Sequence, residues 1–558
     1  MNRVPLVRIP DMSRSASSRA LAMAALLVLG VTSAHAQMDA RVMQDLRWRC
    51  IGPFRGGRTV AATGVPGEPH TFLIGVNHGG VWRTNDAGRT WRPIFDDQPS
   101  GSIGAIAVAP SAPDTIYVGS GEGLQRPDLS VGDGMHRSDD GGATWHSIGL
   151  DDAQQIPAIA VDPHDPQRVF VAALGHPYGP NDTRGVYRSL DGGAHWTRVL
   201  WRNPDTGAMD VLLAPDDPHT VYAVLWSARQ TPWEGGGGSL VRSEDDGLWK
   251  SSDGGDTWRA VGSGLPTAAD GLGRIGIAVA PSRPARMYAV LGARRGAGLY
   301  RSEDAGEHWT LVNSDPRLCE RDGDFNEVKI DPHDPDLVYV ANVVTWRSRD
   351  GGRTFETLRG APGGDDPQQI WIDPENGKRI LMGVDQGATV TYDGGMTWCS
   401  WYNQPSAQCY HITVDNQFPY WVYGSQQDSG TIGTASRGNY GAVTFLDWTP
   451  HPGYEFGSVA VDPLNPKISY AGGPNAGIIK TTFPSGQWID ISPSIDTRAG
   501  LRHVLNQPLI FSPTNPKELF AGYQFLMSTT DAGRHWKKLG GDLTVPKGTV
   551  TTDRKSVV

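Results

Sequence analysis

The sequence predicts an all-β fold assembled from about ten repeated units, each of four short antiparallel strands. Three observations support this prediction: a recurring eight-residue pattern, an apolar strand-turn-strand pattern that precedes it, and a composition with 70 Gly and 19 Trp but only 4 Cys in 558 residues. Internal repeats of this length are typical of architectures that bury a core between neighbouring units. The fold class expected from them is a β-propeller.

The eight-residue pattern reads Ser/Thr-x-Asp-x-Gly-x-Thr/His-Trp/Phe. The Ser or Thr ends one strand, the Asp accepts backbone N–H bonds across the turn, and the Gly supplies the positive φ that a tight hairpin requires. The aromatic residue opens the next strand and points into a packed layer. We therefore expect a structural role for the aspartates of the eight copies, which are Asp86, Asp140, Asp191, Asp253, Asp304, Asp350, Asp393 and Asp531.

The second pattern is an apolar strand, an Asp-Pro or Ala-Pro turn, and another apolar strand. It is clearest at 106–119, 159–172, 211–224, 277–290 and 328–341. Proline fixes φ and ends both strands, so this pattern and the following hairpin make one four-stranded blade.

The number of blades leaves two arrangements open. Seven regular units run from Val60 to Trp398, and the eighth follows a connection flanked by Cys399 and Cys409, which either bridge it or remain separate thiols. We expect a seven-bladed propeller over 41–400, three blades of an incomplete second propeller over 401–540, and an unstructured tail over 541–558, which is either native or truncated. The alternative is a single ten-bladed ring.

The N-terminus predicts export. Four arginines precede a short apolar stretch at 20–31, which is followed by Ala34-His35-Ala36. This order is typical of a cleaved signal peptide, here 1–36, and the stretch is too short to span a bilayer. We therefore expect a secreted or periplasmic protein without a membrane span. The excess of 60 acidic over 50 basic residues, with no basic run, argues against a nucleic-acid partner.

The eight hairpins resemble the Asp-box (BNR) repeat propellers, a superfamily that includes sialidases, xyloglucanase-type glycoside hydrolases, photosystem assembly factors and the sortilin ectodomain. WRCIGPFRGGR at 48–58 and GGVWRTNDAGRTW at 79–91 look like the opening of exported bacterial proteins labelled sortilin-N-terminal-like or glycosyl hydrolase. The resemblance covers nearly the whole mature chain. It implies that the hairpins and the Asp-Pro turns share one rim, with the loops between second and third strands on the opposite face.

Two catalytic patterns of this superfamily are tested by the sequence. The sialidase Arg-Ile-Pro motif matches only Arg8-Ile9-Pro10, inside the predicted signal peptide. The xyloglucanase-type acid is expected before Gly79-Gly80, where this chain has Asn77 and His78. Recognisable catalytic residues are thus missing, although the repeats are present.

The leading expectation is therefore an exported propeller that binds a polypeptide or a glycan through its loop face, with no evident catalysis. One alternative is a glycoside hydrolase, xyloglucanase-like or sialidase-like, that uses loop carboxylates such as Glu122, Asp128, Glu234 or Asp366. Another is an assembly or scaffold factor. Whether the protein is an enzyme stays open at this point.

Candidate ligand-binding residues lie in the irregular segments, because function concentrates on loops held by a rigid scaffold. Arginine and tryptophan suit a sugar ring or a peptide carboxylate. The candidates are Arg55, Arg58, Glu122, Arg126, His176, Tyr178, Arg229, Trp233, Glu234, Gln426, Gln427 and Asp428. No motif predicts a bound metal or cofactor: the segment 322–327 partly resembles a calcium loop but lacks its glycine and its distant glutamate.

Overall fold

The fold is that of a computed structural model, which describes residues 48–126, 129–230, 242–361, 364–473, 477–493, 500–504 and 506–544. All of its strands lie in one compact unit, Ile51–Val558. In the described residues they form ten antiparallel sheets, so the predicted all-β class is confirmed. The predicted signal peptide and the residues after 544 lie outside the described residues.

The strands of the first four sheets are β1 (Thr59–Val65), β2 (Glu68–Val76), β3 (Gly80–Thr84) and β4 (Arg92–Pro93) in sheet 1; β5 (Ile103–Val108), β6 (Ile116–Ser120), β7 (Met135–Ser138) and β8 (His146–Ser147) in sheet 2; β9 (Ala158–Val161), β10 (Val169–Ala173), β11 (Gly185–Ser189) and β12 (Thr197–Leu200) in sheet 3; and β13 (Gly207–Leu213), β14 (Val221–Trp226), β15 (Gly247–Ser251) and β16 (Arg259–Val261) in sheet 4.

The next three sheets contain β17 (Leu272–Val279), β18 (Met287–Ala293), β19 (Gly298–Ser302) and β20 (Thr310–Asn313) in sheet 5; β21 (Glu327–Ile330), β22 (Val338–Ala341), β23 (Thr345–Ser348) and β24 (Glu356–Arg359) in sheet 6; and β25 (Pro367–Ile372), β26 (Ile380–Val384) and β27 (Gly387–Thr391) in sheet 7. Two single-turn 3-10 helices, Ala268–Asp270 and Pro316–Leu318, precede sheets 5 and 6.

The last three sheets contain β28 (Cys409–Val414), β29 (Trp421–Gln426), β30 (Gly430–Ala435) and β31 (Thr449–Pro450) in sheet 8; β32 (Val459–Val461), β33 (Ile468–Gly472), β34 (Ile478–Thr482) and β35 (Gln487–Asp490) in sheet 9; and β36 (Leu509–Phe511), β37 (Leu519–Gly522), β38 (Leu526–Thr529) and β39 (Lys537–Leu539) in sheet 10. Within each sheet the strands follow one another in chain order, as the two sequence patterns predict.

Sheet 7 departs from the four-stranded expectation, because it has three strands among the described residues. After its hairpin, Cys399 donates one backbone bond to the Val390 carbonyl (2.9 Å), but the Val390 N–H points to the Cys399 sulfur (3.1 Å). The Gln404 side chain then makes hydrogen bonds of the kind that a fourth strand would make to β27. Its Nε2 donates to the Ala388 carbonyl (2.6 Å), and its Oε1 accepts from the Ala388 N–H (2.8 Å). Cys399 and Cys409 are both free thiols, which excludes the bridge.

Neighbouring sheets bury apolar side chains between them, and sheet 1 also packs against sheet 7. Phe72 and Ile74 of β2 share a buried cluster with Leu381 and Val390 of sheet 7. Sheets 9 and 10 have a cluster of their own. By contrast, β28 at the start of the last three sheets exposes Ile412 and other apolar side chains.

The repeated hairpins show why their pattern is so regular. In the first copy, Asp86 accepts hydrogen bonds from the Thr84 hydroxyl (2.8 Å) and from the backbone N–H and hydroxyl of Thr90 (2.9 and 2.7 Å). In the second copy, the Trp145 ring N–H donates to the Ile94 carbonyl of the preceding sheet (2.6 Å). A hairpin of this kind therefore closes its own turn, and its aromatic residue can join two sheets.

The aspartates of these hairpins should make stability depend on pH. Hydrogen bonds from the His195 ring, the His195 N–H and the Ser189 hydroxyl lower the pKa of Asp191 to about 2. Because the folded-state pKa lies below that of the unfolded chain, this contribution is complete above about pH 4 and is lost as the pH falls through 2. Asp191→Asn is expected to lower the melting temperature at pH 7, with the difference from wild type shrinking towards pH 2.

The matched control is Asp216→Asn, at an exposed turn residue of the next sheet. Differential scanning fluorimetry between pH 2 and 7 measures both variants. An equal loss for both, or a loss by Asp191→Asn that does not change with pH, would contradict the role assigned to the hairpin carboxylate.

Candidate functional site

Loops at one end of the sheets bring acidic and basic side chains together, and we call this group the junction cluster. Its members come from turns between second and third strands or from segments just before first strands. They are the acids Glu122, Asp324, Asp366, Asp385, Asp428 and Glu455 and the arginines Arg58, Arg126 and Arg321. The hairpin turns lie at the other end: the Gly141 N–H, for example, donates to the Asp114 carbonyl of a first-to-second strand turn (2.9 Å).

A buried ion pair forms the centre of the cluster. Arg58, which immediately precedes β1, donates from Nε and Nη2 to the two carboxylate oxygens of Asp385 in the β26–β27 turn (3.0 and 3.2 Å). The side chains are 1% and 0% exposed. Gln368 adds a hydrogen bond to Asp385 (2.7 Å), and Glu122 lies 3.7 Å from Arg58. The structure thus brings together the predicted residues Arg58 and Glu122.

Residues at the β29–β30 turn of sheet 8 contact the cluster. The Gln426 amide donates to the Gly56 carbonyl (2.9 Å), and Arg126 Nη2 lies within hydrogen-bond distance of Gln427 Oε1 (3.3 Å) and Tyr410 Oη (3.4 Å). Gly56 is needed here, because a Cβ at this position would lie 2.3 Å from the Gln386 carbonyl oxygen. Residues of sheet 8 are thereby tied to loops of sheets 1 and 2.

Three carboxylates of the cluster crowd one another. One oxygen each of Asp366, Asp385 and Asp428 lies within 4.8 Å of the other two. Asp366 and Asp428 both have a φ of 51°, a left-handed conformation that is uncommon outside glycine and is found at functional sites. The backbone is thus held in a strained form at two of the three residues.

Burial and mutual repulsion control the ionisation of these carboxylates. Burial, together with the charge of Asp385, raises the pKa of Asp366 to about 7 and raises the pKa of Asp428 well above its usual range. Burial also opposes the charge of Asp385, but Arg58 and Arg126 hold its pKa below the usual range. Protonation of Asp366 and Asp428 therefore relieves part of the repulsion among the three carboxyl groups.

The partly calcium-like segment 322–327 is used differently from a calcium loop. Asp324 accepts a hydrogen bond from Arg321 (2.6 Å), Asn326 donates to the Arg274 carbonyl (2.8 Å), and Glu327 accepts from the Ile370 N–H (2.6 Å). Since these side chains engage separate partners, they do not converge on one ion.

The remaining predicted residues are placed outside the cluster. The Arg55 guanidinium lies over the Tyr402 ring (5.7 Å), His176 contacts Asp152 (2.9 Å), and Arg229 contacts Asp205. Tyr178 is half-buried in the loop of His176. Asp128, Trp233 and Glu234 lie outside the described residues.

Sequence reasoning missed Asp385, Gln368, Arg321 and Glu455. The sequence analysis expects binding residues in long irregular loops, whereas Asp385 lies in a two-residue turn. One signal was present: the sequences VDQGAT at 384–389 and QQDSGT at 426–431 place an aspartate and a glutamine at the same kind of turn.

Comparisons with known proteins give relatives of one kind. A xyloglucanase from a Paenibacillus species is 26% identical over 316 residues, which are 50% of this chain and 29% of the relative. A probable oligoxyloglucan-reducing end-specific xyloglucanase from Neosartorya fischeri is 27% identical over 231 residues, 35% of this chain and 26% of the relative. No protein-family model matches the chain.

Solved structures show the same fold. A GH74 enzyme from Niastella koreensis superimposes with a TM-score of 0.56 at 16% identity, covering 88% of this chain and 74% of that one. A GH74 xyloglucanase from Xanthomonas campestris gives 0.52 at 18% identity, covering 91% and 83%. The fold is thus a β-propeller type.

These findings support one of the functional expectations over the others. The relatives are named as xyloglucanases, which favours the glycoside hydrolase alternative over a propeller that only binds. The chain spans about a third of the length of the relatives it matches, 29% of the Paenibacillus enzyme and 36% of one from Acetivibrio thermocellus. The described residues include no helix with the length and hydrophobicity that crossing a bilayer requires.

Proposed function

We propose that the protein is an exported glycoside hydrolase that acts on a β-glucan of the xyloglucan type at the junction cluster. The observation that carries this proposal is the meeting of acidic, amide and aromatic side chains at the loop end of a propeller similar to xyloglucanases. Carbohydrate and other small-ligand sites combine such groups in a few convergent positions. The framework is a seven-bladed ring with three further blades, supported by the packing of sheet 1 against sheet 7.

Aromatic and amide groups beside the cluster suit a sugar. The rings of Tyr410 and Phe456 meet edge to face, with centroids 6.3 Å apart. An aromatic face presents apolar surface to the C–H groups of a pyranose, and Tyr adds a polar tip. Arg126 and Gln427 lie beside Tyr410 and supply donors and acceptors for sugar hydroxyls.

Hydrolysis of a glycosidic bond generally uses two carboxyl groups. We assign one of these positions to Glu455, which is half-buried and whose Oε2 accepts the Asp428 N–H (3.2 Å). Asn77 occupies the position where the xyloglucanase-type acid is expected, and an amide cannot donate a proton in this way. In this protein the second carboxyl must therefore come from another residue.

Sugar release from defined polysaccharides tests the proposal. The purified protein is incubated with xyloglucan, with mixed-linkage β-glucan and with xylan, and new reducing ends are measured and separated by chromatography. We expect release from xyloglucan above the other two, because the relatives are xyloglucanases. Binding of xyloglucan without release of sugar would overturn hydrolysis and favour a binding propeller. The absence of both binding and release would overturn the assignment of a carbohydrate substrate.

A further inference from the structure

The junction cluster contains more acidic side chains than arginines. Six acidic side chains face three arginines, and two of those arginines are engaged by the same carboxylates that crowd together: Arg58 by Asp385 and Arg321 by Asp366. Buried charges are paired or coordinate metals, because an uncompensated charge is costly in a medium of low dielectric constant. Among the described residues, Asp428 is the one of the three crowded carboxyl groups that forms no ion pair with an arginine.

Asp428 has an oxygen without a hydrogen-bond donor among the described residues. Asp428 Oδ1 accepts a hydrogen bond from the Gln427 amide (2.9 Å). Its Oδ2 is buried and accepts no hydrogen bond from a donor in the described residues. This oxygen belongs to the residue whose carboxylate lies within 4.8 Å of those of Asp366 and Asp385.

A buried amide oxygen provides a second, independent indication of a ligand. Gln368 is 8% exposed, and its Nε2 donates to Asp385 (2.7 Å), so its amide group lies in the cluster. Its Oε1 has no hydrogen-bond partner among the described residues. Leaving a buried acceptor unpaired costs free energy, and a cation would satisfy it.

We propose that Asp366, Asp385, Asp428 and the amide oxygen of Gln368 bind one calcium ion. The donors are all oxygens, which suit Ca²⁺ or Mg²⁺ rather than zinc or copper. Asp366 immediately precedes β25, Gln368 lies in β25, and the other two come from the β26–β27 and β29–β30 turns. This irregular set fits the flexible coordination of Ca²⁺ better than the octahedron of Mg²⁺.

The ion would join sheet 7 to sheet 8, since Asp428 alone comes from the last three sheets. Arg58 and Arg321 weaken the attraction for a cation, so we expect a dissociation constant of about 10⁻⁴ to 10⁻³ M, as in extracellular calcium modules. This site does not depend on the proposed hydrolysis, because it concerns binding and is measured without a sugar.

Calcium titration of the chelator-treated full chain tests the site. Isothermal titration calorimetry is expected to give one Ca²⁺ per chain with weaker Mg²⁺ binding, and Ca²⁺ is expected to raise the melting temperature. Asp428→Asn and Gln368→Leu should each weaken Ca²⁺ binding at least about tenfold, since each removes one ligand. Asp152→Asn, at an acid of another loop that contacts His176, is the matched control and should bind as wild type.

Circular dichroism establishes that each variant is folded before its affinity is compared. No binding by the wild-type chain up to about 10 mM Ca²⁺, beyond the range of protein calcium sites, would overturn the proposal. Unchanged affinity in folded Asp428→Asn and Gln368→Leu would overturn the ligand assignment. Tighter binding of Mg²⁺ than of Ca²⁺ would overturn the choice of ion.

Discussion

Arg58→Met is expected to lower the free energy of unfolding by about 3–5 kcal/mol. The substitution keeps much of the side-chain volume but leaves Asp385, a fully buried carboxylate, without its two guanidinium hydrogen bonds. Removing one partner of a buried ion pair lowers the stability of the fold by much more than the intact pair contributes to it, because the remaining charge is left buried without a partner. Urea denaturation followed by tryptophan fluorescence, in buffer with a chelator, measures the change.

Two controls make this prediction specific to the buried pair. In Arg58→Met with Asp385→Leu both charges are gone, so a substantial part of the lost stability should return. Arg295→Met breaks a largely exposed pair with Asp270 and should cost no more than about 1 kcal/mol. A loss by Arg58→Met as small as that of Arg295→Met would mean that the Arg58–Asp385 pair does not organise the cluster.

The fold could be predicted from the sequence because its signals are local. Each hairpin closes on itself: among the described residues, for instance, the Asp86 carboxylate accepts hydrogen bonds from residues within four positions of it in the chain. A pattern of eight residues is therefore sufficient to predict the turn. In sheet 7, by contrast, no local pattern predicts that the Gln404 side chain bonds to the Ala388 backbone in place of a fourth strand. These hydrogen bonds depend on the path that the chain takes between the two residues.

The site could be predicted only in part, because its contacts join distant positions. Arg58 and Asp385 are separated by 327 positions, and Gln426 and Gly56 by 370. Charged loop residues such as Arg58, Glu122 and Arg126 stand out by composition, but their partners in short turns do not. A search among long loops therefore predicts Arg229 and His176, which contact Asp205 and Asp152 outside the junction cluster. It does not predict Asp385, which lies in a short turn.

Glu455→Gln is expected to lower kcat on xyloglucan by about 10²- to 10⁴-fold, if hydrolysis is found, because the amide can neither accept nor donate the proton that the reaction moves. The substitution keeps the shape of the side chain, and the amide oxygen can still accept the Asp428 N–H. We therefore expect little change in melting temperature and a KM within a few-fold of wild type. Initial rates over a range of substrate concentrations separate the two parameters.

Glu68→Gln is the matched control for this prediction, because Glu68 is an exposed acid that pairs with Arg83 away from the junction cluster. It should retain wild-type kcat. If Glu455→Gln raised KM and left kcat unchanged, Glu455 would be a sugar-binding residue and the reacting carboxylates would have to be sought elsewhere among the loops. If it lowered kcat and the melting temperature together, its hydrogen bond to the β29–β30 turn would be the structural cause, and the assignment of Glu455 to the reaction would fail.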